Sequence, residues 1–191
     1  MLGTVGVERP DQMADRILGQ YGSIAAFARA EEEDLHAAFG DRGDIAQIFA
    51  FARNLIEIGL HEDIARSPIV PGDPALQRYL VHRMGHRREE MMLALLGDRD
   101  DRFLAEVLLA TGQRDRVSIS ARTLVGHAMR NDARSVLLVH NHPSGDFRPS
   151  KRDISETAAL DRLLRPLDLK LIDHLVVAGI AIHSIQGGRT L

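Results

Sequence analysis

The chain has 191 residues, 45% hydrophobic and 27% charged, with a formal net charge of -3 and no cysteine. This balance describes one large or two small folded domains, and nothing in it points to disorder or a fibre. The lack of cysteine excludes disulfides, thiolate metal sites and a cysteine nucleophile, so any metal falls to His, Asp or Glu, and the reducing cytoplasm is the expected compartment.

Residues 1–10 show no basic stretch followed by an apolar core, so no signal peptide is expected. From Asp11 to Leu60 the rhythm is helical. Met13, Ile17, Leu18 and Tyr21 share one face. Gly22 stops this helix and Ser23 caps the next, Ile24 to Ala30. Glu31 to Phe39 reads as a third helix, Gly40–Asp44 as a turn, and Ile45 to Ile56 as a longer amphipathic helix ending at Gly59. Residues 1–60 hold five arginines, no lysine and ten acids, a balance of -5. A domain that grips phosphates needs a basic face, and this balance does not supply one.

Pro68, Pro71, Gly72, Asp73 and Pro74 are a breaker cluster, so residues 67–74 read as a linker between a helical domain (1–66) and a second domain (75–191). Residues 75–87 predict a helix. Met91 to Leu96 and Phe103 to Ala110 predict an antiparallel pair, with Val117–Ser120 as a third strand. A helix follows over Ala121–Asn131, a strand over Ser135–Val139 and a helix over Asp153–Leu164. Leu171–Ala178 and Ile180–Ile185 close the chain as a strand pair. The fold class is α+β: a small helical bundle followed by a mixed sheet with helices. No apolar run approaches the ~20 residues of a membrane span.

The sharpest feature is His140-Asn141-His142-Pro143-Ser144-Gly145, followed by Pro149-Ser150-Lys151-Arg152-Asp153. Two histidines at i, i+2 after a strand face one way if the backbone stays extended. Asp153, in the first turn of the next helix, can reach back to both imidazoles. That makes a His140, His142, Asp153 zinc site with its fourth position open to water. The competing reading of a lone His-x-His pair is two rings on a solvated strand. Pro143, Ser150 and Asp153 at this spacing favour the metal.

The stretch resembles the JAMM pattern, His-x-His-Pro, six residues, then Ser-x-x-Asp, and its wording resembles the RadC branch of it. The similarity covers about residues 88–186 and includes Thr111-Gly112 and Leu171-Ile172-Asp173-His174. It implies a JAB/MPN fold, which is cytidine-deaminase-like, and a zinc-dependent peptidase or isopeptidase acting on a peptide or protein substrate. It also implies an upstream catalytic glutamate. Glu90 fits that position best, with Glu89 and Glu106 as the other candidates. Glu90 would move the proton between water and the leaving amine, and the Ser150 hydroxyl would donate to the developing oxyanion.

The N-terminal helices resemble the helical domain of the same family, a helix-hairpin-helix-like module. Its hairpin position reads Phe39-Gly40-Asp41-Arg42-Gly43-Asp44. Asp41 and Asp44 place negative charge where a phosphate would sit, so this module reads as degenerate. The alternative function is a non-enzymatic, DNA-repair-associated or nucleic-acid-binding protein with a structural metal site. His82 and His86, four apart on a helix, lack the glutamate of a metalloprotease helix and read as surface residues. Asp173 and His174 point to opposite faces of their strand, so one of them can support the site from behind.

Overall fold

The computed structural model describes residues 9–23, 26–27, 30, 32–65, 67–112 and 120–191. The chain divides into two compact units, Met1–Ile58 and Gly59–Leu191.

The first unit contains α1 (Pro10–Tyr21), α2 (Glu32–Phe39) and most of α3 (Gly43–Ala65). Pro10 opens α1 at a position where a missing N–H costs nothing. Gly22 closes it at φ 73°, its N–H donating to the Leu18 carbonyl. Ser23 Oγ accepts the Ala26 N–H at 3.0 Å, as a helix cap does; the rest of the expected Ile24–Ala30 helix lies partly outside the described residues. Phe27 is the hub of this core, edge-to-face with Tyr21, Phe39 and Phe49 at centroid distances of 5.2, 5.8 and 5.1 Å. Helix α3, expected from Ile45 to Gly59, does not end at Gly59 but runs on to Ala65. A glycine costs a helix interior about 1 kcal/mol, and the apolar pattern continues beyond it to Ile64, which is buried in the second unit's core.

The second unit is a six-stranded sheet in the order β2-β1-β3-β4-β5-β6. Its strands are β1 (Glu90–Gly97), β2 (Phe103–Gly112), β3 (Ser135–Asn141), β4 (Lys170–Ala178), β5 (Ala181–Ser184) and β6 (Arg189–Thr190). Only β3 and β4 are parallel; the other neighbours are antiparallel. One face packs under α4 (Pro74–Met84) through Leu93, Leu95, Leu137, Val139, Leu175 and Val177. The other packs under α5 (Ala121–Arg130) and α6 (Lys151–Leu164) through Ala94, Leu96, Val136 and Leu138. Covered on both faces, β3 is buried at every residue, which is why its sequence is a continuous apolar run rather than an alternating one. The parallel step from β3 to β4 requires a crossover, and α6 supplies it. Among the described residues, no helix is long and apolar enough to cross a membrane.

Residues 67–74, read as a linker, are fastened to the sheet. Pro68 bridges Arg102, and the Ile69 N–H donates to the Asp101 carbonyl at 2.7 Å. Residues 117–119 of the expected third strand lie outside the described residues, and Ser120 is a helix N-cap instead, accepting the Thr123 N–H. His82, on α4, and His86, just beyond its end, are half-buried rather than fully exposed.

Gly85 ends α4 against the β4–β5 turn. A Cβ there would lie 2.1 Å from the Gly179 carbonyl oxygen and 2.7 Å from that of Val81, both backbone atoms that cannot step aside. Gly85→Ala is therefore expected to destabilise the fold by about 1–3 kcal/mol, the cost of forcing backbone apart. Urea unfolding measures this, and an unchanged midpoint would mean that the helix end is free to shift.

Candidate metal centre

The centre forms where β3 runs out toward α6. His140 is the penultimate residue of β3 and is 1% exposed. His142 stands just beyond the strand, yet its N–H donates to the Val177 carbonyl at 2.8 Å and so extends the β3–β4 ladder. The backbone stays extended for that one residue, which keeps both rings on one side. Pro143 then ends the pairing, and Gly145, at φ 81°, closes a turn back to the His142 carbonyl. His140 Nε2 and His142 Nε2 lie 3.0 Å apart.

Asp153 comes from the first turn of α6. Ser150 and Asp153 form a reciprocal capping box: Asp153 N–H donates to Ser150 Oγ at 3.1 Å, and Ser150 N–H to Asp153 Oδ2 at 2.7 Å. The box turns the carboxylate toward the histidines, with Oδ1 3.7 Å from His140 Nε2 and Oδ2 3.7 Å from His142 Nε2. Ser150 Oγ is used there as an acceptor, so its hydroxyl hydrogen is not consumed by the cap.

Glu90, the first residue of β1, offers a carboxylate oxygen that lies with the His140 and His142 nitrogens inside a 4.8 Å set. Its placement depends on Asn141, whose role the sequence did not disclose. The Asn141 amide oxygen accepts the Met91 N–H at 2.8 Å, and its NH2 donates to the Glu89 carbonyl at 3.1 Å and the Arg87 carbonyl at 3.4 Å. One buried side chain between the two histidines thus holds the backbone on both sides of Glu90. The other candidates stand elsewhere. Glu89 is exposed. Glu106 accepts the Tyr79 hydroxyl and Arg83 Nε, the latter at 3.2 Å, and ties α4 to β2.

The donor set fits a divalent cation. His142 Nδ1 lies 2.7 Å from the Asp146 carbonyl oxygen, which can only accept, so Nδ1 carries the hydrogen and Nε2 of the neutral ring is bare. Two ring nitrogens 3.0 Å apart with a carboxylate behind them repel one another unless a cation or proton lies between. Tetrahedral zinc with ~2.0–2.1 Å bonds to nitrogen spaces its ligand atoms by about 3.3 Å. The 3.0 and 3.7 Å separations bracket that figure.

The charges agree with this. Burial, opposed by the Asp153 carboxylate, lowers His140 to about 4. The Asp153 carboxylate raises His142 above the ordinary imidazole value against its partial burial. Partial burial alone would raise Asp153, but the His142 ring and the Ser150 hydroxyl hold it well below the ordinary carboxylate range. A cation bound at Nε2 of either ring would compete with protonation of that nitrogen.

Two measurements test these assignments. Asn141→Ala leaves the Met91 N–H without its buried acceptor and is expected to cost about 1–3 kcal/mol in urea unfolding; a smaller loss would mean that Glu90 is held by something else. For the metal-free protein, unfolded His140 takes up a proton below its ordinary value of 6.5 that folded His140 refuses until about 4. Its contribution to stability is therefore lost as pH falls from 6.5 to 4. His174, which burial pushes well below the ordinary value, acts in the same direction, and raised His142 acts in the opposite one. The unfolding midpoint is expected to fall over that window, and to fall less in His140→Gln; an identical slope in the variant would remove His140 as the cause.

Residues 72–190 match the family model described as "RadC-like JAB domain". The chain is similar to a UPF0758 protein of Pseudomonas entomophila, 32% identical over 181 residues, covering 93% of this chain and 79% of that one. It is similar also to UPF0758 proteins of Bordetella pertussis, at 29% over 91% of this chain and 77% of that one, and of Streptococcus suis, at 26% over 91% and 71%. The family model covers the sheet and the convergence of His140, His142, Asp153 and Glu90, and on that ground the chain belongs to the RadC-like JAB domain family.

Proposed function

We propose that the chain is a zinc-dependent hydrolase of amide or isopeptide bonds in peptide or protein substrates. The observation that carries this reading is the pair of imidazole Nε2 atoms 3.0 Å apart, backed by both Asp153 oxygens. His140, His142 and Asp153 would hold the ion. Two histidines and a carboxylate suit zinc, which when bound acidifies water to a pKa near ~7 and polarises a carbonyl.

The chain's own residues supply the rest. Glu90 stands within reach of the same centre. As a carboxylate it takes a proton from the attacking water and returns it to the leaving amine. Ser150, exposed at the start of α6, would turn its hydroxyl hydrogen from the Asp153 carboxylate to the carbonyl oxygen as charge develops there. The nucleic-acid reading has less support. Arg42, at the tip of the expected hairpin, gives Nε and Nη2 to Asp44 at 2.9 and 2.8 Å, so the hairpin's own acid occupies the cation a phosphate would need.

Metal content decides the first half of the proposal. The purified protein is expected to carry about one zinc per chain, and Asp153→Ala to lose it. Glu90→Gln is expected to keep the metal while cleavage of peptide or isopeptide substrates falls by roughly 10²–10⁴. Loss of the metal from Glu90→Gln would make Glu90 a ligand and overturn its acid–base role. A parent that takes up no zinc would overturn the hydrolase reading.

A further inference from the structure

One buried imidazole has no part in the mechanism above. His174, on β4, is 1% exposed and lies behind the centre. Its Nε2 is 2.8 Å from His140 Nδ1, and its Nδ1 is 2.6 Å from Thr157 Oγ1 on α6. Thr157 Oγ1 lies in turn 2.6 Å from the main-chain carbonyl oxygen of Asp153.

Each of these three contacts is too short for two facing lone pairs, so each holds one hydrogen. A carbonyl has none, and Thr157 therefore gives its only hydroxyl hydrogen to Asp153. The hydrogen between Thr157 and His174 must then come from His174 Nδ1. The neighbouring Asp173 does not alter the count. Its carboxylate faces the other way, accepting the Ser184 hydroxyl and the backbone N–H groups of His174 and Gln186. A neutral imidazole carries one N–H, so His174 Nε2 is bare and His140 Nδ1 supplies the third hydrogen. That leaves His140 with a bare Nε2, the atom that faces His142 and Asp153.

We infer that Thr157 and His174 are positioning residues that set the tautomer of His140, through a one-directional chain from His140 to His174 to Thr157 to the Asp153 carbonyl. The chain begins at the side chain of one proposed ligand and ends at the backbone of another. It thereby ties the ring orientation on β3 to the seating of α6. A metal-bound histidine ordinarily donates its second N–H to a carboxylate, carbonyl or water; here a second histidine takes that place and needs Thr157 to stay in the accepting tautomer. The benefit to metal binding rests on the zinc reading, but the tautomer itself is a property of the metal-free chain.

The test is long-range ¹H–¹⁵N correlation of histidine-labelled, metal-free protein, read beside zinc affinity from chelator competition. In the parent, His140 and His174 are expected as Nδ1–H tautomers. In Thr157→Val, His174 loses its acceptor and turns its hydrogen to Nε2. His140 then becomes the Nε2–H form, and zinc affinity falls about 10–100-fold. Thr157→Ser, which keeps the hydroxyl, is expected to restore both readouts. An Nε2–H His140 in the parent overturns the inference without recourse to any variant. A folded Thr157→Val with the parent's tautomers and affinity overturns it as well. A parent with the expected tautomers that binds no zinc upholds the chain of hydrogen bonds and removes the metal reading instead.

Discussion

The structure around the candidate centre depends on one electrostatic constraint. Two imidazole nitrogens, His140 Nε2 and His142 Nε2, are held 3.0 Å apart at the end of a buried strand. Two bare lone pairs at that distance repel, and a hydrogen or a cation between them relieves this. Burial disfavours a charged His140, and the Asp153 carboxylate favours a charged His142. A cation bound there would find these side chains already turned toward it. The order that zinc would otherwise have to impose on the side chains is supplied by β3, β4 and α6.

Each supporting contact has two functions, one local and one for the centre. The Ser150–Asp153 box caps α6 and also aims the carboxylate. Asn141 satisfies buried backbone groups and also fixes the entry to β1, where Glu90 sits. The His142 N–H continues the sheet and also keeps the second ring beside the first. The site is therefore built on strand and helix ends rather than on a free loop, and its precision comes from the same hydrogen bonds that define the fold.

Much of the second unit was legible in the sequence because its signals are local. Continuous apolar runs mark buried strands, and the β3 and β4 runs are of this kind. The Ser-x-x-Asp spacing marks a helix start. The misplaced elements have equally local causes. Gly59 looks like a stop, but packing of Ile64 in the core carries the helix past it. Ser120 alternates like a strand residue, yet its hydroxyl caps α5. His82 and His86 look solvated by composition, but the fold half-buries both.

The sequence alone determined which residues can meet at the centre and in what chemical class. His-x-His at a strand end, with a carboxylate in the next helix turn, limits the donors to two imidazoles and an acid. It left Glu89, Glu90 and Glu106 as rivals, because spacing along one strand pair does not say which side chain faces which layer. Only the tertiary structure decided that Glu106 serves α4 and that Glu90 stands beside the histidines. It alone brought His174 and Thr157 behind His140, across 34 residues of chain in one case and between different elements in both. The reason is physical: periodicity encodes which face of an element is apolar, whereas a buried hydrogen-bond chain exists only once β3, β4 and α6 have packed and excluded water from it.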